Sequence, residues 1–232
     1  MTKAILNPIR SDGTLKDRVV ERLTDAILGG KIRPGDRLNE SQLARDLQVS
    51  RAPVREALQQ LQEQSIIVNV PRRGMFVVSL DAEDTQKINS LRIILEAEAL
   101  RLAQKNLTSA RTKQLEELLK EMETPEPTTK LYVRLDFEFH RTIWSHSGNE
   151  YLEKILTSLT APLMAHSARL LLRKDKLRRI LDSHRPLFEF IRGKSDKSAE
   201  LVMLDHLKYR YPEPSKFCSV PADDTGAELN IH

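Results

Sequence analysis

Apolar residues recur at helical spacing almost everywhere along this chain, and at alternating spacing in only one short stretch. Val19, Leu23, Ile27 and Leu28 form a stripe within 15–28, which predicts an amphipathic helix stopped by Gly29 and Gly30. Pro34-Gly35 reads as a turn. Asn39 followed by Gln42 reads as a capping box opening a second helix, Glu40 to Leu47. After the turn Gln48-Val49-Ser50, Ser50 caps a third helix from Arg51 to about Glu63, with Pro53 in its tolerant first turn. Residues 66–70 and 75–79 predict two strands joined by a hairpin tip at 71–74.

Beyond Asp81 the pattern is helical throughout. Helices are predicted from Asp81 to about Lys105, with Leu91, Leu95, Ala99 and Leu102 on one stripe, and from Thr108 to about Glu123. A loop over 124–129 precedes a helix from Lys130 to His146, broken by Ser147-Gly148-Asn149. Further helices cover 150–171, with a kink expected at Pro162, then 175–193, with a second at Pro186, then 196–210. The fold class is therefore mainly α, a helix-turn-helix with a small β-hairpin followed by an all-helical bundle. Three regions are expected: 10–79, 82–211, and a mobile tail over 212–232.

Composition and charge narrow this picture. With 40% hydrophobic and 30% charged residues in 232, the chain is a globular protein large enough for two domains. No apolar run approaches the roughly 20 residues that span a bilayer, so no membrane partner is expected. The start lacks a signal-peptide pattern, and Cys218 is the single cysteine, which together suggest a cytoplasmic location. The net charge is +4, and all of that excess lies in the first 80 residues. That asymmetry points the N-terminal region toward nucleic acid.

Two helices joined by a short turn make the helix-turn-helix pattern, with Leu43, Ala44, Leu47, Val49, Val54, Leu58 and Leu61 as its small core. The third helix presents Arg51 and Arg55 one turn apart from its N-terminal half, the part that meets base edges in the major groove. An arginine fork matches the O6 and N7 acceptors of guanine. Ser50 and the helix N-terminus suit a phosphate. Arg72 and Arg73 at the hairpin tip would form a wing against phosphates or the minor groove.

Residues 18–77 resemble the DNA-binding domain of the GntR family of bacterial regulators, through PGDRLNESQLARDLQVSRAPVREALQQL and VPRRGMFV. The resemblance implies that Arg51 and Arg55 contact an operator, that Gly74 lies in the wing, and that a homodimer binds a short palindromic site in double-stranded DNA. Two departures stand out: Gln48 where glycine is usual, and Ser65-Ile66 in place of Gly-Leu. Gln48 is expected to need a left-handed conformation that glycine takes more easily.

The helix from Lys130 to His146 carries the clearest chemistry. Leu131, Leu135, Phe139 and Ile143 form one stripe, and Tyr132, Asp136, His140 and Trp144 form the adjacent one. Asp136 and His140 thus point the same way, one turn apart, and can grip one metal ion. His184 and His206 also lie on apolar faces. A lone buried histidine is more often a hydrogen-bonded core residue than a ligand, and Asp136–His140 alone would serve as a plain hydrogen-bonded pair. One Asp and three His converging would suit zinc, nickel or manganese, one ion per chain.

Residues 85–210 resemble the FCD-type effector domain of a large GntR subfamily, through RLDFEFHRTIWSHSGNEYL, His184 and His206. The resemblance implies that Asp136, His140, His184 and His206 hold a divalent ion at the base of a pocket for a small carboxylate effector. Arg92, His166 and Arg169 are the candidates for meeting that effector, and His146 reads as structural. The expectation is a ligand-responsive repressor or activator, not an enzyme. Its alternatives are the same regulator with a metal-free effector pocket and, further off, a metalloenzyme.

Overall fold

The computed structural model describes residues 13–123, 129–170, 180 and 182–208, and of 129–130 and 164–170 it describes the backbone alone. The expected loop over 124–129, save its last residue, and the tail over 212–232 lie outside the described residues, as do the side chains of His166 and Arg169. The chain divides into two compact units. Among the described residues the first runs to Asp81 and takes in 129–137 and 157–170; the second takes in 82–123, 138–156 and 180–208.

The first unit opens with α1 (Leu15–Leu28), α2 (Glu40–Leu47) and α3 (Arg51–Glu63). Side-chain caps set two of these starts. Thr14 accepts from the Asp17 amide, and Asn39 Oδ1 accepts from the amides of Ser41 and Gln42, both at 3.0 Å. Half of the expected capping box therefore forms. The Gln42 side chain bonds Asp46 and Arg45 instead of turning back. Ser50 occupies the N-cap of α3 but its side chain makes no capping bond, a correction to the expected cap.

α1 and α2 both pack on α3. The core they share joins Val19, Leu23 and Ile27 to Leu43, Leu47, Val54, Leu58 and Leu61, with Val49 partly buried at its edge. The hairpin strands are β2 (Ile67–Val70) and β3 (Gly74–Val77), antiparallel with Val68 opposite Phe76. A third strand that the pattern did not predict, β1 (Arg37–Leu38), pairs with the other edge of β3, giving the order β1-β3-β2. Two residues are too few for an alternating pattern to register.

Gln48 closes α2 at φ 57 and ψ 43, the left-handed conformation expected of it, and Ser65 after α3 has φ 59. A residue with a Cβ is strained there. Gln48→Gly should therefore raise stability by about 1 kcal/mol, the strain relief exceeding the extra chain entropy of glycine. Thermal unfolding reads this directly, and an unchanged or lower midpoint would contradict it.

The second unit is helical. It contains α4 (Ala82–Lys105) and α5 (Ser109–Met122), the second half of α6 (Thr129–His146) from 138 on, and the first part of α7 (Glu150–Leu170). α8 (Arg185–Ile191) and α9 (Ala199–Lys208) are two short helices further along the described residues. Thr108 caps α5, and Asn149 Oδ1 accepts from the Leu152 amide at the start of α7. α4, α8 and α9 pack on one another.

Two expectations need correction. The buried face of α4 is not the Leu91 stripe. It carries Asn89, Arg92, Ile93, Glu96, Ala97, Leu100 and Ala103, joined from the expected stripe by Ala99 alone, while Leu95 and Leu102 are half-buried and Leu91 is 48% exposed. Apolar periodicity misreads this helix because Arg92 and Glu96 satisfy each other inside. Pro186 kinks nothing: Ser183 and His184 form a turn, and Pro186 sits in the first turn of α8, where its missing amide costs no hydrogen bond. α7 runs as one element through Pro162. Among the described residues no helix is long and apolar enough to cross a membrane.

Candidate nucleic-acid interface and metal centre

Arg51 opens α3 and Arg55 stands one turn later, both exposed. The Arg55 guanidinium lies against the Glu40 carboxylate of α2, with Nε 3.4 and 3.3 Å from its two oxygens and Nη2 3.1 Å from Oε2. At the hairpin tip Arg72 takes φ 64 and Gly74 φ 100, backbone conformations that turn the chain sharply between β2 and β3. Arg72 and Arg73 are exposed there, and the Arg73 guanidinium rides 5.5 Å above the Phe76 ring. One unit thus displays the helix arginines and the wing arginines, and Ser50 at the helix start adds an uncommitted capping position.

The second unit brings three histidines together. His140 comes from α6, His184 from the turn before α8, and His206 from α9, all buried. One nitrogen from each lies within 4.8 Å of those from the other two. Asp136 is not in this group. It is buried one turn before His140 on α6 and accepts from the Tyr132 hydroxyl at 3.1 Å.

The hydrogen bonds assign the ring protons. His184 Nδ1 is 2.9 Å from the Ile180 carbonyl, which can only accept, so Nδ1 donates. Ser183 Oγ donates to that same carbonyl at 2.6 Å, so it accepts from His206 Nδ1 at 2.9 Å. His140 Nδ1 is 2.7 Å from Glu96 Oε2. Burial would push the Glu96 carboxyl up, but the Arg92 charge, with help from His140, more than offsets this and lowers it to about 2. Glu96 is therefore ionised and His140 Nδ1 donates. All three rings thus carry a proton on Nδ1 and turn Nε2 toward one another.

That arrangement suits a cation. The Nε2 atoms of His140 and His206 are only 3.1 Å apart, a separation that either a shared proton or a metal ion between the two lone pairs satisfies. Metal–nitrogen bonds of about 2.0–2.1 Å place neighbouring ligands at roughly this separation. Tethering the remote nitrogen to an acceptor is how proteins orient metal-binding imidazoles. The three histidines form a cluster that could hold a metal ion.

Glu96 holds more than one partner. It accepts from Arg92 Nε at 2.6 Å and from Trp144 Nε1 at 3.2 Å. Arg92 Nη1 reaches Asn89 Oδ1 at 3.4 Å, while Asn89 Nδ2 is buried with no partner among the described residues. His146 lies apart from the cluster, its Nε2 on Gln114 Oε1 at 3.0 Å, and burial, with the nearby Arg111 charge, lowers its pKa.

Residues 15–77 match the bacterial regulatory proteins, gntR family, and residues 87–209 match the FCD domain. The chain belongs to the GntR family. The HTH-type transcriptional regulator YdhC of Bacillus subtilis is 31% identical over 194 residues, covering 81% of this chain and 85% of that protein. The regulator LutR of the same organism is 28% identical, covering 78% and 92%. The gluconate operon transcriptional repressor of Bacillus licheniformis is 30% identical, covering 76% and 75%. Among solved structures, Escherichia coli McbR/YncC shares the fold with a TM-score of 0.70 at 23% identity, over 85% of this chain and 95% of that one. This GntR protein is a DNA-binding transcription regulator of the FCD type, and its relatives are regulators, not enzymes.

Sequence reasoning missed Glu40, Glu96 and Ser183 in this GntR chain. Only Glu96 carried a signal, its i,i+4 spacing from Arg92. Glu40 and Ser183 gain their partners through tertiary folding, across 15 and 23 residues.

Proposed function

We propose that this regulator is a homodimeric repressor whose grip on a palindromic operator is set by a small carboxylate bound at a metal in the C-terminal domain. The observation that carries the reading is the triad of Nδ1-tethered imidazoles, His140, His184 and His206. In this reading 10–79 is the DNA-binding domain, 82–211 the effector domain and 212–232 a tail. Ser50, Arg51 and Arg55 meet the major groove and adjacent phosphate, with Arg72, Arg73 and Gly74 as the wing.

The three histidines would hold one divalent ion, zinc, nickel or manganese, and Asp136 would join them as fourth ligand by turning from the Tyr132 hydroxyl that it accepts from in the structure. Such an ion supplies a Lewis-acid anchor for a carboxylate oxygen. Arg92, His166 and Arg169 are proposed to meet the rest of the effector, and the unpartnered Asn89 Nδ2 beside Arg92 is a further donor for it. The gluconate operon repressors of two Bacillus species are named for an operon of a small organic acid, which supports that class and the sign of regulation. Leu91 and Ile94 on α4, exposed by 48% and 54%, support burial against a second copy. A cytoplasmic location accords with DNA as the target.

The test is an anisotropy titration of zinc-loaded protein on a duplex that it has itself enriched from a random-core library, with a panel of mono-, di- and tricarboxylates. At least one acid is expected to shift operator affinity by roughly 5–150-fold, and His140→Ala should abolish the shift. No shift with any acid, or an equal shift in the variant, would refute the metal-anchored effector.

A further inference from the structure

Glu40 sits in the first turn of α2 and reaches across to Arg55 on α3, a pairing that neither helix needs for its own stability. The pair is exposed, 69% at the Arg55 side chain and 34% at Glu40, and exposed pairs of this kind contribute little to folding. Its geometry is more specific than its energy. Glu40 engages the edge of the guanidinium formed by Nε and one side of Nη2. Nη1 has no partner among the described residues, so the opposite edge, Nη1 with the other side of Nη2, keeps its donors.

We propose that Glu40 is a positioning residue for sequence readout: it clamps the inner edge of Arg55 and presents the outer edge to a base as a fixed two-donor fork. This rests on the reading of Arg55 as an operator contact. Two parallel donors are what the O6 and N7 acceptors of guanine require. An unclamped arginine would lose rotamer freedom on binding, whereas one held beforehand has already done so.

The clamp predicts opposite effects on two quantities. Glu40 brings a negative charge close to DNA phosphates, so its charge alone weakens binding to any sequence. Its geometry strengthens binding to one. Glu40→Gln should leave affinity for a scrambled duplex equal or higher, while the ratio of affinities for enriched over scrambled duplex falls about tenfold. Glu40→Asp keeps the charge but is one methylene too short for the fork. It should lower the ratio similarly with scrambled affinity unchanged. In an Arg55→Ala background Glu40→Gln should leave the ratio unaltered, because the effect passes through Arg55.

The experiment is fluorescence anisotropy of full-length wild type and these variants on the duplex enriched by wild type from a random-core library and on its scrambled counterpart. A fall in the ratio confined to variants retaining Arg55 supports the clamp. An unchanged ratio in Glu40→Gln and Glu40→Asp overturns it, as does a parallel fall in both affinities, which would make Glu40 a structural residue of α2. A wild type that enriches no sequence would fail at the operator reading itself, before Glu40 is tested, and would overturn both.

Discussion

Replacing Arg51 and Arg55 together by alanine is expected to lower affinity for the enriched operator by at least 100-fold while leaving the fold and metal content unchanged. Each good arginine–guanine fork contributes about 1–3 kcal/mol of discrimination, and a two-fold protein on a palindrome would present each arginine twice. Neither side chain holds the domain together: both are exposed, and the packing of α3 rests on Val54, Leu58 and Leu61. The loss should therefore appear in a mobility-shift titration without any change in the thermal midpoint. Equal affinity for wild type and variant would remove α3 as the reading element. Arg72→Ala and Arg73→Ala act at a wing that meets phosphates in this account. They should weaken operator and scrambled duplex alike and flatten the salt dependence.

The second large effect lies in the buried network behind the histidines. Glu96→Gln would remove the carboxylate that pairs with Arg92, whose side chain is 5% exposed. A buried charge left without its partner costs about 3–5 kcal/mol. Urea unfolding of the metal-stripped protein is expected to show a loss of that size. The double variant Arg92→Met with Glu96→Leu should recover most of it, because both charges leave together. A loss below 1 kcal/mol in the single variant would mean that the network is not as closed as its distances indicate. The same group has a pH signature. Its folded-state pKa lies below its unfolded value, so its contribution is complete above the ordinary carboxylate range and is lost as pH falls through about 2.

Most of the N-terminal unit was legible in the sequence because its core follows one rule. Leu43, Leu47, Val54, Leu58 and Leu61 recur at helical spacing and all are buried. The left-handed conformation of Gln48 was legible too, through the resemblance, since glycine is usual at that position. α6 was equally readable: both apolar-facing stripes are buried save the half-buried Leu131, while Arg134, Glu138 and Arg141 face out.

The failures share a different cause. On α4 the inward face carries Arg92 and Glu96, which hydrophobic periodicity assigns to solvent, and their pairing with each other, together with His140 across the fold, makes their burial tolerable. Pro186 looked like an interruption because nothing local signals that a helix starts at Arg185. The candidate metal cluster was readable as three histidines on apolar faces. The carboxylate and the serine that orient two of them come from elsewhere in the chain, and no spacing rule reaches that far.

The most direct test of the sensor account is the metal content of full-length, tag-free protein, measured by mass spectrometry beside His140→Ala and His206→Ala. The account predicts about one divalent ion per chain in the wild type, lost in both variants while their helical content is retained. No ion in the wild type after reloading with zinc, nickel and manganese, or an ion that survives both substitutions, would contradict it.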